Sequence, residues 1–172
     1  ADVNESKTIQ LNGELYDAVK EELTKNNIKA NFNDKQRKIT ISEEELAKVT
    51  TLDLSEKGIS NIEGLERFTN LVELDLSSNE LTKDSNLSVL SNLKLKILDL
   101  SSNKIEDIDD IGNVDSISQL NIHNQKITQV HVITPEDIVG EDKDGSTLVL
   151  CDVPKILSRA GYWGDFIQRS EA

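Results

Sequence analysis

The sequence is poor in the residues that form covalent cross-links, thiolate metal clusters and membrane spans. Cys151 is the only cysteine among 172 residues, so an intramolecular disulfide and a cysteine-based metal cluster are both excluded. No apolar run approaches the roughly 20 residues that a membrane-spanning helix needs, and we expect no membrane insertion. Methionine is absent and the chain opens at Ala1, which predicts either that a secretion signal has been cleaved or that the chain has been trimmed.

Basic residues are also scarce. Lys and Arg total 19 against 32 Asp and Glu, which gives a net charge of -13. Nucleic acids and anionic membrane surfaces are bound through basic patches, so this balance argues against both classes of partner. The acidity is greatest in residues 49–131, which carry 14 acidic and 7 basic side chains. We therefore expect a protein partner with a basic surface.

A repeat occupies this acidic middle part of the chain. The pattern L-x-x-L-x-L-x-x-N-x-L, with apolar substitutions, starts at Val49, Leu71, Leu95 and Ile117, at spacings of 22, 24 and 22 residues. Its alternating leucines predict a short strand with one buried face. Because each strand buries its leucines only against the next coil, the units must stack into a solenoid.

The asparagine of the repeat predicts how the stacked coils are joined. Asn79 and Asn103 lie where the chain leaves the strand, and an inward-facing amide there can pair with backbone groups of neighbouring coils. Lys57 and Gln125 replace it in the outer copies, where a coil lacks one neighbour. On the return path apolar residues recur every third position, which predicts 3₁₀ turns, with a longer helix at Leu87–Leu93 in the 24-residue copy.

Two features of the repeat resemble a known family. The 22-residue period and the segment Ile59-Ser-Asn-Ile-Glu-Gly-Leu65 are similar to internalin-like, SDS22-type leucine-rich repeat proteins, and the stretch from Thr50 to Ile59 resembles the first repeat of many Gram-positive surface proteins. The resemblance covers about residues 40–131. It implies an α/β solenoid, namely a short leucine-rich repeat horseshoe of about four repeats. It also implies a protein that binds other proteins and is secreted or attached to the cell wall.

Residues 1–48 precede the repeats and predict a helical N-terminal cap. Leu15, Val19 and Leu23 fall on one helical face, in a segment that an asparagine introduces as N-cap. Lys38–Ile41 alternates like a short strand, and a capping-box spacing of Ser and Glu follows it. Because a solenoid needs its open end covered, we assign this structural role to the segment.

Residues 132–172 do not continue the repeat and predict a mixed C-terminal cap. Val139 and Ser146–Leu150 flank a turn rich in Gly and Asp, which predicts a hairpin, and a short helix is expected to follow. Tyr162 and Trp163 belong to a cluster of aromatic residues beyond it. They either seal the last coil or are exposed as an anchor for a partner.

The motifs that mark enzymes are absent. His123 and His131 are the only histidines, and Cys151 lies in an apolar run without a nucleophile motif, so we predict that this thiol is buried and unreactive. A calcium loop over Gly140–Cys151 lacks its first and last ligands. The sequence therefore predicts a non-catalytic chain without a metal site or cofactor.

The outward face of the strands is the best candidate site. Residues that alternate with the buried leucines point outward and form three columns. Since strands lie about 4.8 Å apart, three aspartates form a like-charged ladder that a basic partner would neutralise, unless the neighbouring serines satisfy it locally. The candidate binding residues are Glu73, Asp75, Asp99, Gln119, Asn121 and His123.

The size of this face limits what it can bind. Four strands span roughly 14 Å between their outer axes, whereas a standard interface buries about 800 Å² on each partner. Either the flanking segments contribute to the interface, or binding is weak, or the chain is a fragment of a longer protein.

These observations favour a non-catalytic protein-binding module of a bacterial protein that is secreted or exposed at the cell surface, acting as a monomer. One alternative is a structural spacer that takes part in assembly. Another is a cytosolic regulatory subunit of an enzyme, which would make the chain cytoplasmic.

Overall fold

The structure is a computed structural model that describes residues 5–106, 116–117, 119–122, 138–141 and 148–150. The helices are α1 (Gly13–Lys25), α2 (Glu43–Leu46) and two 3₁₀ helices at Leu65–Arg67 and Leu87–Asn92. The strands are β1 (Ser6–Gln10), β2 (Asn31–Asn33), β3 (Lys38–Ser42), β4 (Thr51–Asp53), β5 (Glu73–Asp75), β6 (Ile97–Asp99), β7 (Gln119–Asn121), β8 (Ile138–Glu141) and β9 (Leu148–Leu150).

The N-terminal unit combines α1 with a three-stranded antiparallel sheet of order β1-β3-β2. The predicted helix and the predicted strand β3 are both confirmed. The expectation of a helical segment is nevertheless incomplete, because β1 and β2 add a sheet to it. β1 buries only Ile9 fully, and β2 is three residues long, so neither strand has the alternation that identifies a strand from sequence.

The apolar periodicity of α1 explains how the helix packs into the hydrophobic core. Leu15, Val19 and Leu23 are each 1% exposed or less, as their shared helical face predicts. Tyr16 is equally buried, and its hydroxyl donates a hydrogen bond of 2.6 Å to Oδ1 of Asp34 in the turn after β2. Burial, with this hydrogen bond adding to it, raises the pKa of Tyr16 to about 12.

The repeats form four parallel strands in the order β4-β5-β6-β7. Their central leucines are in register and between 1% and 2% exposed: Leu52, Leu74, Leu98 and Leu120. The return path contains 3₁₀ helices, as the three-residue period predicts, and the helix at Leu87–Asn92 in the longer copy is twice the length of the one at Leu65–Arg67. Stacking thus buries each apolar row between neighbouring coils.

A C-terminal hairpin extends this sheet beyond the repeats. β8 and β9 pair antiparallel, as predicted, and β9 pairs antiparallel with β7. The resulting order is β4-β5-β6-β7-β9-β8. The sheet therefore continues beyond the four repeat strands, and its six strands span about 24 Å at 4.8 Å per strand.

One hydrophobic core runs from the N-terminal unit into the coils. The two parts approach closely at Gly64, where a β-carbon would lie 2.5 Å from Cδ2 of Leu11 and 2.6 Å from the carbonyl oxygen of Gln10. Gly64 also has φ +104°, a conformation that side chains disfavour. Glycine at this position lets the N-terminal unit pack against the first coil.

Candidate functional site

The outward columns have the register that the repeat spacing predicts. Hydrogen-bonded pairing aligns one column of Thr51, Glu73, Ile97 and Gln119, and a second of Asp53, Asp75, Asp99 and Asn121. All eight side chains are at least partly exposed. The structure therefore brings five of the candidate residues onto one surface, which we call the concave face: Glu73, Asp75, Asp99, Gln119 and Asn121.

Each aspartate of the ladder is hydrogen-bonded to the serine two residues later. Oδ1 of Asp75 accepts from the backbone N–H of Ser77 at 2.9 Å and from its hydroxyl at 2.6 Å. Asp53 and Asp99 accept the same pair of bonds from their own serines. Local serines therefore satisfy one oxygen of each carboxylate, and repulsion along the ladder is weaker than a row of bare charges would give.

The aspartates of the ladder differ in their charged neighbours. Asp53 lies near basic side chains, because α1 borders strand β4. Hydrogen bonds from Ser55 hold the pKa of Asp53 below its ordinary value, and attraction to Lys25 and Lys57 adds to this effect. Lys57 in turn forms an ion pair of 3.2 Å with Glu21 of α1. The β4 end of the concave face is therefore balanced by lysines.

Glu22 completes the edge of the sheet at the same end. In the parallel sheet β4 has a strand neighbour only on the β5 side. On its other side Oε1 of Glu22, a residue 8% exposed, accepts the backbone N–H of Asp53 at 2.8 Å. This carboxylate takes the place of the carbonyl that a preceding strand would offer.

The inward asparagines join the coils as predicted. Asn79 is 5% exposed, and its Oδ1 accepts the N–H groups of Lys57 and Ile59, both at 3.0 Å. Its Nδ2 donates to the carbonyl oxygens of Leu54 at 2.9 Å and Leu76 at 3.0 Å. Asn103 makes the corresponding bonds one coil further on. These bonds fix the spacing of the coils and hence of the columns on the concave face.

Several candidate residues lie outside the part of the chain that the structure describes: His123, His131, Cys151, Tyr162 and Trp163. Within the described part, two apolar residues were not among the predicted site residues although they adjoin it. Ile97 belongs to an outward column, and Val72 is 39% exposed immediately before β5. The signal for Ile97 was present in the sequence, as an apolar residue at an outward position.

Two further features are absent from the described residues. No group of three or more His, Cys, Asp and Glu side chains there could hold a metal ion. Among the same residues, no helix has both the length and the apolar character needed to cross a membrane.

The repeat itself matches a known family model. The model described as Leucine Rich repeat matches residues 69–85 and 91–109, in the second and third coils. These coils are leucine-rich repeats. The chain is also similar to solved structures of internalins, as the sequence resemblance led us to expect.

Two internalin structures share the leucine-rich repeat fold with this chain. An internalin (inlF) from Listeria monocytogenes str. 4b F2365 is 27% identical with a TM-score of 0.57, and the match covers 71% of this chain and 33% of that one. Internalin C2 (inlC2) from the same strain is 29% identical with a TM-score of 0.54, and the match covers 74% of this chain and 50% of that one.

A curated relative comes from a different context. Acidic leucine-rich nuclear phosphoprotein 32 family member A of Drosophila pseudoobscura pseudoobscura is 31% identical over 90 residues, which is 51% of this chain and 34% of the relative. The chain thus spans about a third of the length of the curated relative that it matches, and between a third and a half of the two internalin chains.

Proposed function

We propose that this chain is a non-catalytic protein-binding module whose concave face holds a basic surface of its partner. The observation that carries the proposal is the pair of outward columns, held in register by parallel strands. A rigid sheet presents each side chain at a fixed position, so little conformational entropy is lost when a partner binds. Residues 1–48 then serve to cover the open end of the core, and the module acts as a monomer.

Charge supports a basic partner. Asp75 lies on the sheet between Asp53 and Asp99, and Glu73 is exposed two residues before it. A partner Lys or Arg placed there gains charge-assisted hydrogen bonds to carboxylates that are already oriented by their serines. Electrostatic attraction would also speed association, and this gain should decrease as salt is added.

The concave face alone is smaller than a standard protein–protein interface. Six strands span about 24 Å, and the four steps from residue 51 to residue 55 span about 13 Å along the strand direction, so the face offers about 300 Å². A standard interface buries about 800 Å² per partner. We therefore expect the partner to reach beyond the sheet onto other residues of the segments that flank the repeats, such as those of α1.

Two cellular contexts follow from the relatives. The likeness to two Listeria internalins supports a bacterial module that is secreted or exposed on the cell surface. The likeness to an acidic leucine-rich nuclear phosphoprotein, together with the net charge of -13, supports a second candidate, an intracellular regulator that binds a basic protein. Fractionation of the source cells, with an antibody against this chain, separates the two.

The binding proposal is tested by affinity capture with the full chain, followed by titration of the captured partner. Asp75→Asn and Asp99→Asn together remove two charges, while Asn keeps the Oδ1 acceptor for Ser77 and Ser101. We expect the double variant to remain folded and to lose about 1–3 kcal/mol of binding free energy.

A matched control removes the same charge away from the sheet. Glu63→Gln and Asp84→Asn alter exposed side chains on the return path and should leave the affinity unchanged. If this control weakens binding as much as the variant on the concave face, the contribution is net charge and not the proposed site. If only the control weakens binding, the proposal is wrong.

A further inference from the structure

Three charged residues at the end of α1 lie beside the first strand of the repeats. Glu21 and Lys25 are four residues apart on the helix, and Glu22 and Lys25 are three apart, so all three lie on one side of it. Oε1 of Glu22 accepts the backbone N–H of Asp53 at 2.8 Å. Oε2 of Glu21 lies 3.2 Å from Nζ of Lys57. This side of α1 therefore adjoins the β4 end of the concave face.

Lys25 and Lys57 share a small polar cavity with Asp53. The cavity has a volume of about 210 Å³, and Glu21 and Glu22 also line it. Hydrogen bonds from the following serine are the main reason why the pKa of Asp53 is below its ordinary value, and attraction to both lysines adds to the effect. A partner cation at Asp53 would therefore meet two positive charges that are already there.

The next aspartate of the ladder has different surroundings. The repeat position of Lys57 is occupied in the following coils by Asn79 and Asn103, whose neutral amides point inward. Asp75 forms no ion pair with any residue in the described part of the chain. Since α1 borders β4, and β5 lies about 4.8 Å further on, the lysine of the helix acts less strongly on Asp75 than on Asp53.

We infer that Lys25 and Lys57 compete with a basic partner for Asp53 and thereby confine the partner's cations to the aspartates of β5 and β6. A fixed like charge at one end of a binding surface is a repulsive element, and it determines the position at which a charged partner binds. Neutral or acidic parts of the partner would then lie against α1. This inference rests on the proposed function and specifies where the basic groups of the partner bind.

The test is titration calorimetry of the full chain with hexalysine, blocked at both ends, in about 0.1 M salt, where charges more than about 10 Å apart are largely screened. Lys25→Gln removes the cation of the helix and should tighten binding about two- to fivefold. Lys57 is left unchanged, because its loss would free the charge of Glu21. The control is Lys35→Gln, an equal change in net charge at an exposed position in the turn between β2 and β3, which should alter the affinity less than about twofold.

A double-mutant cycle identifies Asp53 as the group that Lys25 protects. Asp53→Asn removes the charge and keeps the Oδ1 acceptor for Ser55. In the original chain this change should weaken hexalysine binding less than about twofold, whereas in Lys25→Gln it should weaken binding about two- to fivefold. Circular dichroism checks that each variant is folded.

The outcomes separate this inference from the proposed function. If Lys25→Gln acts no more strongly than Lys35→Gln, or if Asp53→Asn has the same effect in both chains, the inference is wrong. The proposed function still stands in that case when Asp75→Asn with Asp99→Asn weakens hexalysine binding. If hexalysine does not bind, or if that double variant binds it equally well, the proposed function fails and the inference fails with it.

Discussion

Replacing Asn79 is expected to destabilise the chain far more than its size implies. In Asn79→Ala the buried N–H of Ile59 and the buried carbonyl of Leu54 both lose the partner recorded for them. The carbonyl of Leu76 keeps a bond from Asn103, and the N–H of Lys57 is close enough to the surface to reach water. Two buried groups left unpaired, at about 1–3 kcal/mol each, predict a loss of about 2–6 kcal/mol.

A second substitution separates hydrogen bonding from packing. Asn79→Asp has nearly the same shape and keeps the oxygen that accepts from Lys57 and Ile59, but it replaces the Nδ2 donor by an oxygen. That oxygen would face the carbonyl oxygens of Leu54 and Leu76 at about 3 Å, in a site that is 5% exposed. We expect the Asp variant at neutral pH to be at least as destabilised as the Ala variant, because the second carboxylate oxygen would be buried without a donor and would face two carbonyl oxygens.

Urea denaturation followed by circular dichroism measures both effects, provided that the slope with denaturant does not change. Asn70→Ala is the control, since its amide makes one exposed bond of 3.1 Å to the carbonyl oxygen of Ala47 and should cost about 0.5 kcal/mol or less. If Asn79→Asp were as stable as the original chain, or Asn79→Ala cost no more than the control, the asparagine would not join the coils as described.

Three further changes test the N-terminal unit. Glu22→Ala should cost about 1.5–3 kcal/mol in urea denaturation, because it leaves the β4 N–H unpaired, whereas Glu22→Gln keeps an acceptor and should cost less than about 1 kcal/mol; equal losses would contradict the role of this oxygen. Gly58→Ala carries only the strain of φ +68°, about 1 kcal/mol, while Gly64→Ala adds a clash and should cost about 1–3 kcal/mol more; similar costs would refute the close packing. The raised pKa of Tyr16, about 12 against 10 when unfolded, contributes stability below pH 10 that is lost as the pH rises toward 12. Tyr16→Phe should therefore lose less stability over that window, and an equal loss in both chains would show that another group titrates.

Periodicity made the repeats predictable, because the same physical requirement recurs in every coil. Leu74 and Asn79 could be assigned from spacing alone, since a buried row and an inward amide follow from stacking. β1 and β2 could not be predicted in this way. They form by pairing with β3, and their own sequences lack a clear alternation of apolar and polar residues. The role of Glu22 was likewise hidden, since a buried carboxylate on a helix has no sequence pattern to distinguish it from an exposed one.

The candidate site was predictable in its register and less so in its electrostatics. Alternation with the leucines placed Glu73 and Asp75 outward, and the structure agrees. The balance of charge along the ladder also depends on Lys25, which α1 brings near Asp53 and which no spacing within the repeat reveals. Whether these residues bind a partner stays a prediction.

Site-specific photo-cross-linking tests the central claim most directly. A photoreactive amino acid in place of Gln119 would stand on the concave face, and one in place of Thr69 would stand at an exposed position on the return path. With the partner obtained by affinity capture, the account predicts a covalent adduct from position 119 and none from position 69. An adduct from position 69 alone would contradict the assignment of the concave face as the binding surface.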